Sequence, residues 1–254
     1  MKISLSTGVF SEYSILPKLK QIKKLGFGNI EFNMKNVQLG DELAVYKIKK
    51  TLKTQKINCL TLHSATFPVT DRIEIPKAIY FGKVSVHFAN ILSASIMVIH
   101  SNISRKLPKS KQKQFLTIIH KEIHSYAKSF NIKLALENLS DPSKSIGNNY
   151  AEINQILNAI DDPNLGFTLD FCHGQTIGNT MELVERFKKR LLNVHISNKN
   201  HSPINSKTSN FKEFLRKLKD IDYNGPLTIE LNPTCKNHQI TQTKSTIQNT
   251  LSNL

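Results

Sequence analysis

The chain has 254 residues, 39% of them hydrophobic, and its 35 basic residues outnumber 19 acidic ones for a formal charge of +16. The length suits one large domain, residues 1–254, better than two small ones, and no apolar run approaches the roughly 20 residues of a membrane helix, so no membrane partner is expected. Cys59, Cys172 and Cys235 are odd in number and share no CxxC spacing, which argues against a disulfide framework and a cysteine zinc site. The opening stretch, MKISLSTGVF, lacks the apolar core and cleavage site of a secretory signal. It reads as a strand entering a loop, and the cytoplasm is the expected location.

In chain order, strands are expected at KISLST (2–7), NIEF (29–32), NCLTLH (58–63), SIMVIH (95–100), KLALEN (133–138), GFTLDF (166–171), LNVHIS (192–197) and LTIEL (227–231). Each is nearly continuously apolar, as a strand buried on both faces should be. Helix-period runs lie between them, among them Ile15, Leu19, Ile22 and Leu25, then Ile153, Ile156, Leu157 and Ile160, then Phe211, Phe214, Leu215 and Leu218. Eight strand-and-helix units at even spacing predict an α/β fold, a single (β/α)8 TIM barrel, and no glycine-rich phosphate fingerprint follows the first strand to favour an open sheet.

Most lysines fall on these helices, as in Lys18, Lys20, Lys23 and Lys24 or Lys47, Lys49, Lys50 and Lys53. They are expected to ring the outside as a solvated face. Arginine, whose planar fork suits phosphate, is confined to Arg72, Arg105, Arg186, Arg190 and Arg216. The charge is thus a weak sign of nucleic-acid binding, which ranks below a small-molecule partner.

Acids and histidines cluster at strand ends. Strands five to eight close on Glu137, Asp170, His195 and Glu230; His63 and His100 end strands three and four, and His173 and His201 follow strands six and seven. A parallel barrel brings all these ends to one rim. Three carboxylates gathered there without a cation would repel one another. A divalent metal (Mn²⁺, Mg²⁺, Co²⁺ or Zn²⁺) relieves that conflict, and carboxylate oxygens with imidazole suit it. His63 and His100 are candidates for a second metal site or for a substrate hydroxyl. His87, His120 and His124 are expected on helices as surface or packing residues, and His238 in a polar tail.

The motifs LALEN, LDFCH, NVHIS and TIEL resemble the xylose-isomerase-like barrels, which include sugar isomerases, epimerases and endonuclease IV. The resemblance spans nearly the whole chain. Its most specific part is the order Glu, Asp-x-x-His, His, Glu, carried by Glu137, Asp170 with His173, His195 and Glu230. In the isomerase branch it implies one ion on Glu137, Asp170, His195 and Glu230, with the two glutamates also moving a proton and His173 touching a substrate hydroxyl. In the endonuclease branch it implies two further zincs, one on His63 and His100, the other on His173 and His201. There the sequence departs from the pattern: Lys199 stands where the family has an aspartate, and Ser202-Pro203-Ile204-Asn205 follows His201 instead of Gly-Glu-Gly.

The expected function is a metal-dependent isomerase or epimerase of a small polyhydroxylated or phosphorylated carbonyl compound. Glu137 and Glu230 would be catalytic, and His63, His173, His201, Lys199 and Glu31 would contact substrate. The alternative is a zinc phosphodiesterase acting on abasic DNA, and a barrel without catalysis ranks third. Outer-helix residues at an oligomer interface would look like ordinary amphipathic ones, so the sequence leaves assembly open.

Overall fold

The computed structural model describes residues 1–11, 13, 15–160, 162 and 165–254. Eight parallel strands form a closed barrel in sequence order: β1 (Lys2–Ser6), β2 (Asn29–Asn33), β3 (Asn58–His63), β4 (Ile96–Ile99), β5 (Lys133–Glu137), β6 (Gly166–Asp170), β7 (Leu191–Ile196) and β8 (Pro226–Ile229). Leu5 of β1 pairs with both Ile30 and Ile229, which closes the ring. The expected strands are all present, with ends shifted by a residue or two.

The helices follow as crossovers: α1 (Leu16–Lys24), α2 (Glu42–Gln55), α3 (Ile75–Leu92), α4 (Lys109–Lys128), α5 (Tyr150–Ile160), α6 (Phe171–Ile177), α7 (Thr180–Phe187), α8 (Phe211–Asp220) and α9 (Asn237–Ser252). Their starts follow local chemistry. Asp41 caps α2 by accepting from Ala44 N at 2.9 Å, and Pro17 sits in the first turn of α1. α8 shows the expected pattern: Phe211, Phe214, Leu215 and Leu218 are buried, an i, i+3, i+4, i+7 stripe facing the strands. His238 lies on α9, exposed, where a polar tail was expected; Ile240 and Ile247 supply the buried stripe that makes a mostly polar stretch worth docking.

Among the described residues no helix is long and apolar enough to cross a membrane. The lysines named on α1 and α2 are on the outside, and most of them are exposed. The three cysteines are free.

The barrel interior departs from the expected continuously apolar strands. Ser4, Glu31, Thr61, Thr168, Asn193 and Thr228 are all fully buried. Several are chained: Thr228 Oγ1 donates to Asn193 Oδ1 at 3.1 Å, and Thr61 Oγ1 to Glu31 Oε2 at 2.9 Å. Hydrogen bonding is what lets these chained groups lie inside, whereas Ser4 Oγ and Thr168 Oγ1 are buried without a partner. Register shifts interrupt β2 between Ile30 and Glu31 and β6 between Phe167 and Thr168, on the two strands that carry Glu31 and Asp170. Such irregularities turn side chains relative to the regular pleat.

Candidate metal centre

Strand ends deliver the site. Asp170 pairs in register with His195, and Asn33 with His63. Glu137 is the last residue of β5, and Glu230 directly follows β8. Asp170 also caps α6, its Oδ1 accepting from His173 N at 2.7 Å, which brings His173 one turn on to the same rim.

Glu137 is the hub. Its Oε2 lies 3.2 Å from both His63 Nε2 and His100 Nε2, and its Oε1 lies 3.4 Å from His173 Nδ1 and from His195 Nδ1. His195 Nδ1 also faces Glu230 Oε2 at 3.0 Å and Asp170 Oδ2 at 3.8 Å. Three overlapping groups result, each with its ligand atoms within 4.8 Å of one another: Glu137, Asp170, His195 and Glu230; His63, His100 and Glu137; and Asp170, His173 and His201. The first and second share Glu137, and the first and third share Asp170.

The donor set fits a divalent cation. Asp170 Oδ2 is buried with no hydrogen-bond partner, and His195 Nδ1, though three carboxylates surround it, makes no well-aligned hydrogen bond to any of them, an arrangement that leaves buried polar atoms poorly satisfied. An ion on hard oxygen donors and one imidazole would satisfy both. The charges of the cluster also compensate one another. Burial raises Glu137, but the neighbouring His195 and His100 outweigh it and hold its carboxyl well below the usual range. Burial likewise opposes the charge on His63, yet the bond to Glu137 lifts it to about 9. His195 is raised well above its ordinary value, the surrounding Glu31, Glu230 and Glu137 outweighing its burial. Burial dominates at Asp170 and raises it.

Around the cluster lies a cavity of about 520 Å³, lined by Glu137, Glu230, His63, His100, His173 and His201 and also by Lys35, Val37, Leu39 and Phe81 among others. His201 is held with φ 51° and Asn200 with φ 58°. Two successive non-glycine residues in the left-handed region are strained, and the result is that His201 Nδ1 sits 3.2 Å from Ser197 Oγ and 3.2 Å from Glu230 O.

Two residues expected to contact substrate are elsewhere. Glu31 is fully buried beneath the rim, where its Oε2 meets His195 Nε2 at 2.9 Å. It sits behind a ligand and not in front of a substrate, because the pleat turns it into the barrel. Lys199 is exposed and lines a separate cavity of about 300 Å³ with Gln175 and Asn179. The carboxylate position of the third group is therefore vacated by a side chain that points away from it. Asn138 was also missed: it exchanges two bonds with the Asp170 backbone, at 2.7 and 3.1 Å, and its carbonyl meets His173 Nδ1 at 2.8 Å. The signal was the Asn of LALEN, directly after Glu137. His87, His120 and His124 lie on α3 and α4 away from the cluster, with His120 and His124 buried.

Residues 19–250 match the model of the xylose isomerase-like TIM barrel family. An uncharacterized protein of Methanocaldococcus jannaschii is 35% identical over 117 residues, covering 43% of this chain and 40% of its own length. A probable endonuclease 4 of Mesomycoplasma hyopneumoniae is 31% identical over 127 residues, 46% of this chain and 45% of that protein. These alignments span less than half of either relative. An inosose isomerase of Halalkalibacterium halodurans is 23% identical over 253 residues, 91% of this chain and 88% of that one. Among solved structures, a D-tagatose 3-epimerase-like protein superposes with a TM-score of 0.86 at 22% identity, covering 100% of this chain and 98% of its own. The IOLI protein with a binding zinc atom gives 0.82 at 19%, covering 100% and 99%. At these identities the superpositions show the fold, and the family match over most of the chain, with the ordered rim residues in place, shows that this chain belongs to the xylose isomerase-like TIM barrel family.

Proposed function

We propose that this protein is a divalent-metal-dependent isomerase or epimerase of a small polyhydroxylated carbonyl compound. The observation that carries the reading is the gathering of two carboxylates, Glu137 at 3.4 Å and Glu230 at 3.0 Å, about His195 Nδ1 in the lining of a cavity of about 520 Å³, a size that suits a sugar. Glu137, Asp170, His195 and Glu230 would hold the ion, which supplies Lewis-acid stabilisation for negative charge developing on neighbouring substrate oxygens.

The chain's own groups do the rest. Glu230 Oε2 faces His195, while Oε1 is bonded to no described residue and is free to take a proton from the carbon beside the carbonyl. As that C–H bond breaks, its electrons move to the carbonyl oxygen. Return of a proton to the opposite face of the same carbon gives an epimer; return to the former carbonyl carbon, with the hydroxyl proton of the neighbouring carbon passing to the former carbonyl oxygen, gives an isomer. Glu137 is the second proton carrier. Its oxygens are each approached by two imidazoles, which hold it ionised until a substrate displaces them. His173 and His201, at the cavity wall, orient hydroxyls.

The kinship with the inosose isomerase and the epimerase-like fold supports this reading. Its test is deuterium uptake from D₂O into a panel of ketoses and ketose phosphates, read by NMR with metal-loaded protein. Exchange that vanishes in Glu230→Gln supports it, and no exchange with any of the panel counts against it.

A second reading rests on the two flanking groups, His63–His100–Glu137 and Asp170–His173–His201. Three neighbouring cation sites suit hydrolysis of a phosphodiester, in which water attacks phosphorus and the bridging oxygen leaves. The partial likeness to a probable endonuclease 4 favours it. Cleavage of an oligonucleotide with one abasic site, with no ketose exchange, would put this reading first.

A further inference from the structure

The cavity is lined by carboxylates and histidines of the cluster and also by Val37, Leu39, Phe81 and Lys35. Among the described residues Lys35 is the lone lysine or arginine in the lining of this cavity. Its side chain is exposed, but its backbone is anchored. Its backbone forms the turn Met34–Asn36, in which both flanking residues are buried. The Lys35 amide donates to Asn33 Oδ1 at 3.0 Å, the Asn33 amide to Thr7 Oγ1 at 2.8 Å, and Asn36 Nδ2 to Phe10 O at 2.9 Å. The loop is thus bolted to β1 and its exit on both sides of the lysine.

Lys35 makes no ion pair within 4 Å of a described acid, only a longer attraction to Glu230, and burial of its amine lowers its pKa from the ordinary lysine value. A lysine with no described acid within 4 Å, carried into the lining of a cavity by a turn held on both sides, is an anion-binding element. We infer that Lys35 receives an anionic substituent of the substrate, a phosphate monoester or carboxylate. This rests on the reading that the cavity is the substrate's, and it moves the anion contact expected at Lys199, which lines a different cavity, to Lys35.

Calorimetric titration of metal-loaded protein with inorganic phosphate, D-fructose and D-fructose 6-phosphate tests it, in the wild type and in Lys35→Gln, Lys35→Arg and Lys199→Gln. The expected result is that the phosphate ester binds more tightly than fructose, that Lys35→Gln weakens phosphate and ester by about tenfold or more, and that Lys35→Arg and Lys199→Gln do not. Equal affinity of wild type and Lys35→Gln for phosphate would overturn the inference, as would equal losses in Lys35→Gln and Lys199→Gln, which would mean only the general positive field. Should Lys35→Gln fail to fold, loss of phosphate binding in Lys35→Met against retention in Lys35→Arg decides in its place. Binding is read without turnover, so failure here leaves the proton-transfer reading to its own deuterium-exchange test.

Discussion

Glu31 Oε2 stands 2.9 Å from His195 Nε2, on the far side of the ring from Nδ1, which faces Glu230, Glu137 and Asp170. Nε2–H donating to Glu31 keeps its proton there, so the proton that an ion would displace is the one at Nδ1. Thr61 Oγ1 at 2.9 Å and Asn193 Nδ2 at 3.4 Å hold Glu31 in that pose. Glu31→Gln keeps the shape and removes the charge. It is expected to lower metal affinity by roughly tenfold to a hundredfold, measured by competition with a chromophoric chelator, and unchanged affinity would deny Glu31 this role.

His63 and His100 converge on one oxygen of Glu137, their rings 5.0 Å apart. If they serve a second ion, His100→Gln will reduce metal content per chain while leaving the ion on Glu137, Asp170, His195 and Glu230 in place. Substrate hydroxyl binding instead would leave the metal content of His100→Gln equal to that of the wild type and raise KM.

Glu152 on α5 ties the loops that follow β4 and β5. Its oxygens accept from Arg105 at 2.6 and 2.9 Å and from the amides of Gly147 and Asn148 at 2.8 and 3.1 Å. Burial acts against the charge, but these donors outweigh it and hold the carboxyl below its usual value. A carboxyl depressed in the folded state stabilises the fold above its unfolded pKa of about 4.3 and loses that contribution as pH falls through the folded value. Glu152→Gln should therefore cost about 1–3 kcal/mol near neutral pH. The gap between the urea midpoints of variant and wild type should close as pH is taken from 6 toward 3; a gap that stays constant would contradict the assignment.

Where α3 crosses α4, Gly82 lies against Ile123, and a Cβ at position 82 would overlap that side chain. Gly82→Ala should destabilise by about 1–3 kcal/mol, with part of the loss recovered in the double variant with Ile123→Val. Thermal unfolding of the three proteins measures this, and an additive double variant would refute direct contact.

The barrel was legible because its strands are short, β-branched and regularly spaced, and because its helices carry apolar stripes such as Phe211 to Leu218. The rim was legible for a related reason: Glu137, Asp170, His195 and Glu230 each end a run of mostly apolar residues, and a parallel barrel leaves strand ends one place to meet. Glu31 has the same signature, yet it turns inward beside a register shift that no residue pattern announces. Lys35 lies in a polar loop after β2 and reads like any other lysine until the loop folds over the cavity. Lys199 was placed by its distance from His201 in sequence, but the left-handed turn at Asn200 and His201 sends the two side chains to different cavities.

The measurement closest to the central claim is elemental analysis of untagged protein, purified without chelator and then offered Mn²⁺, Co²⁺, Mg²⁺ or Zn²⁺, with Glu230→Gln carried through the same steps. The account predicts at least one divalent ion per wild-type chain and its loss, or a marked drop in occupancy, in the variant. Wild-type protein that retains no more metal than Glu230→Gln under every loading condition would contradict it.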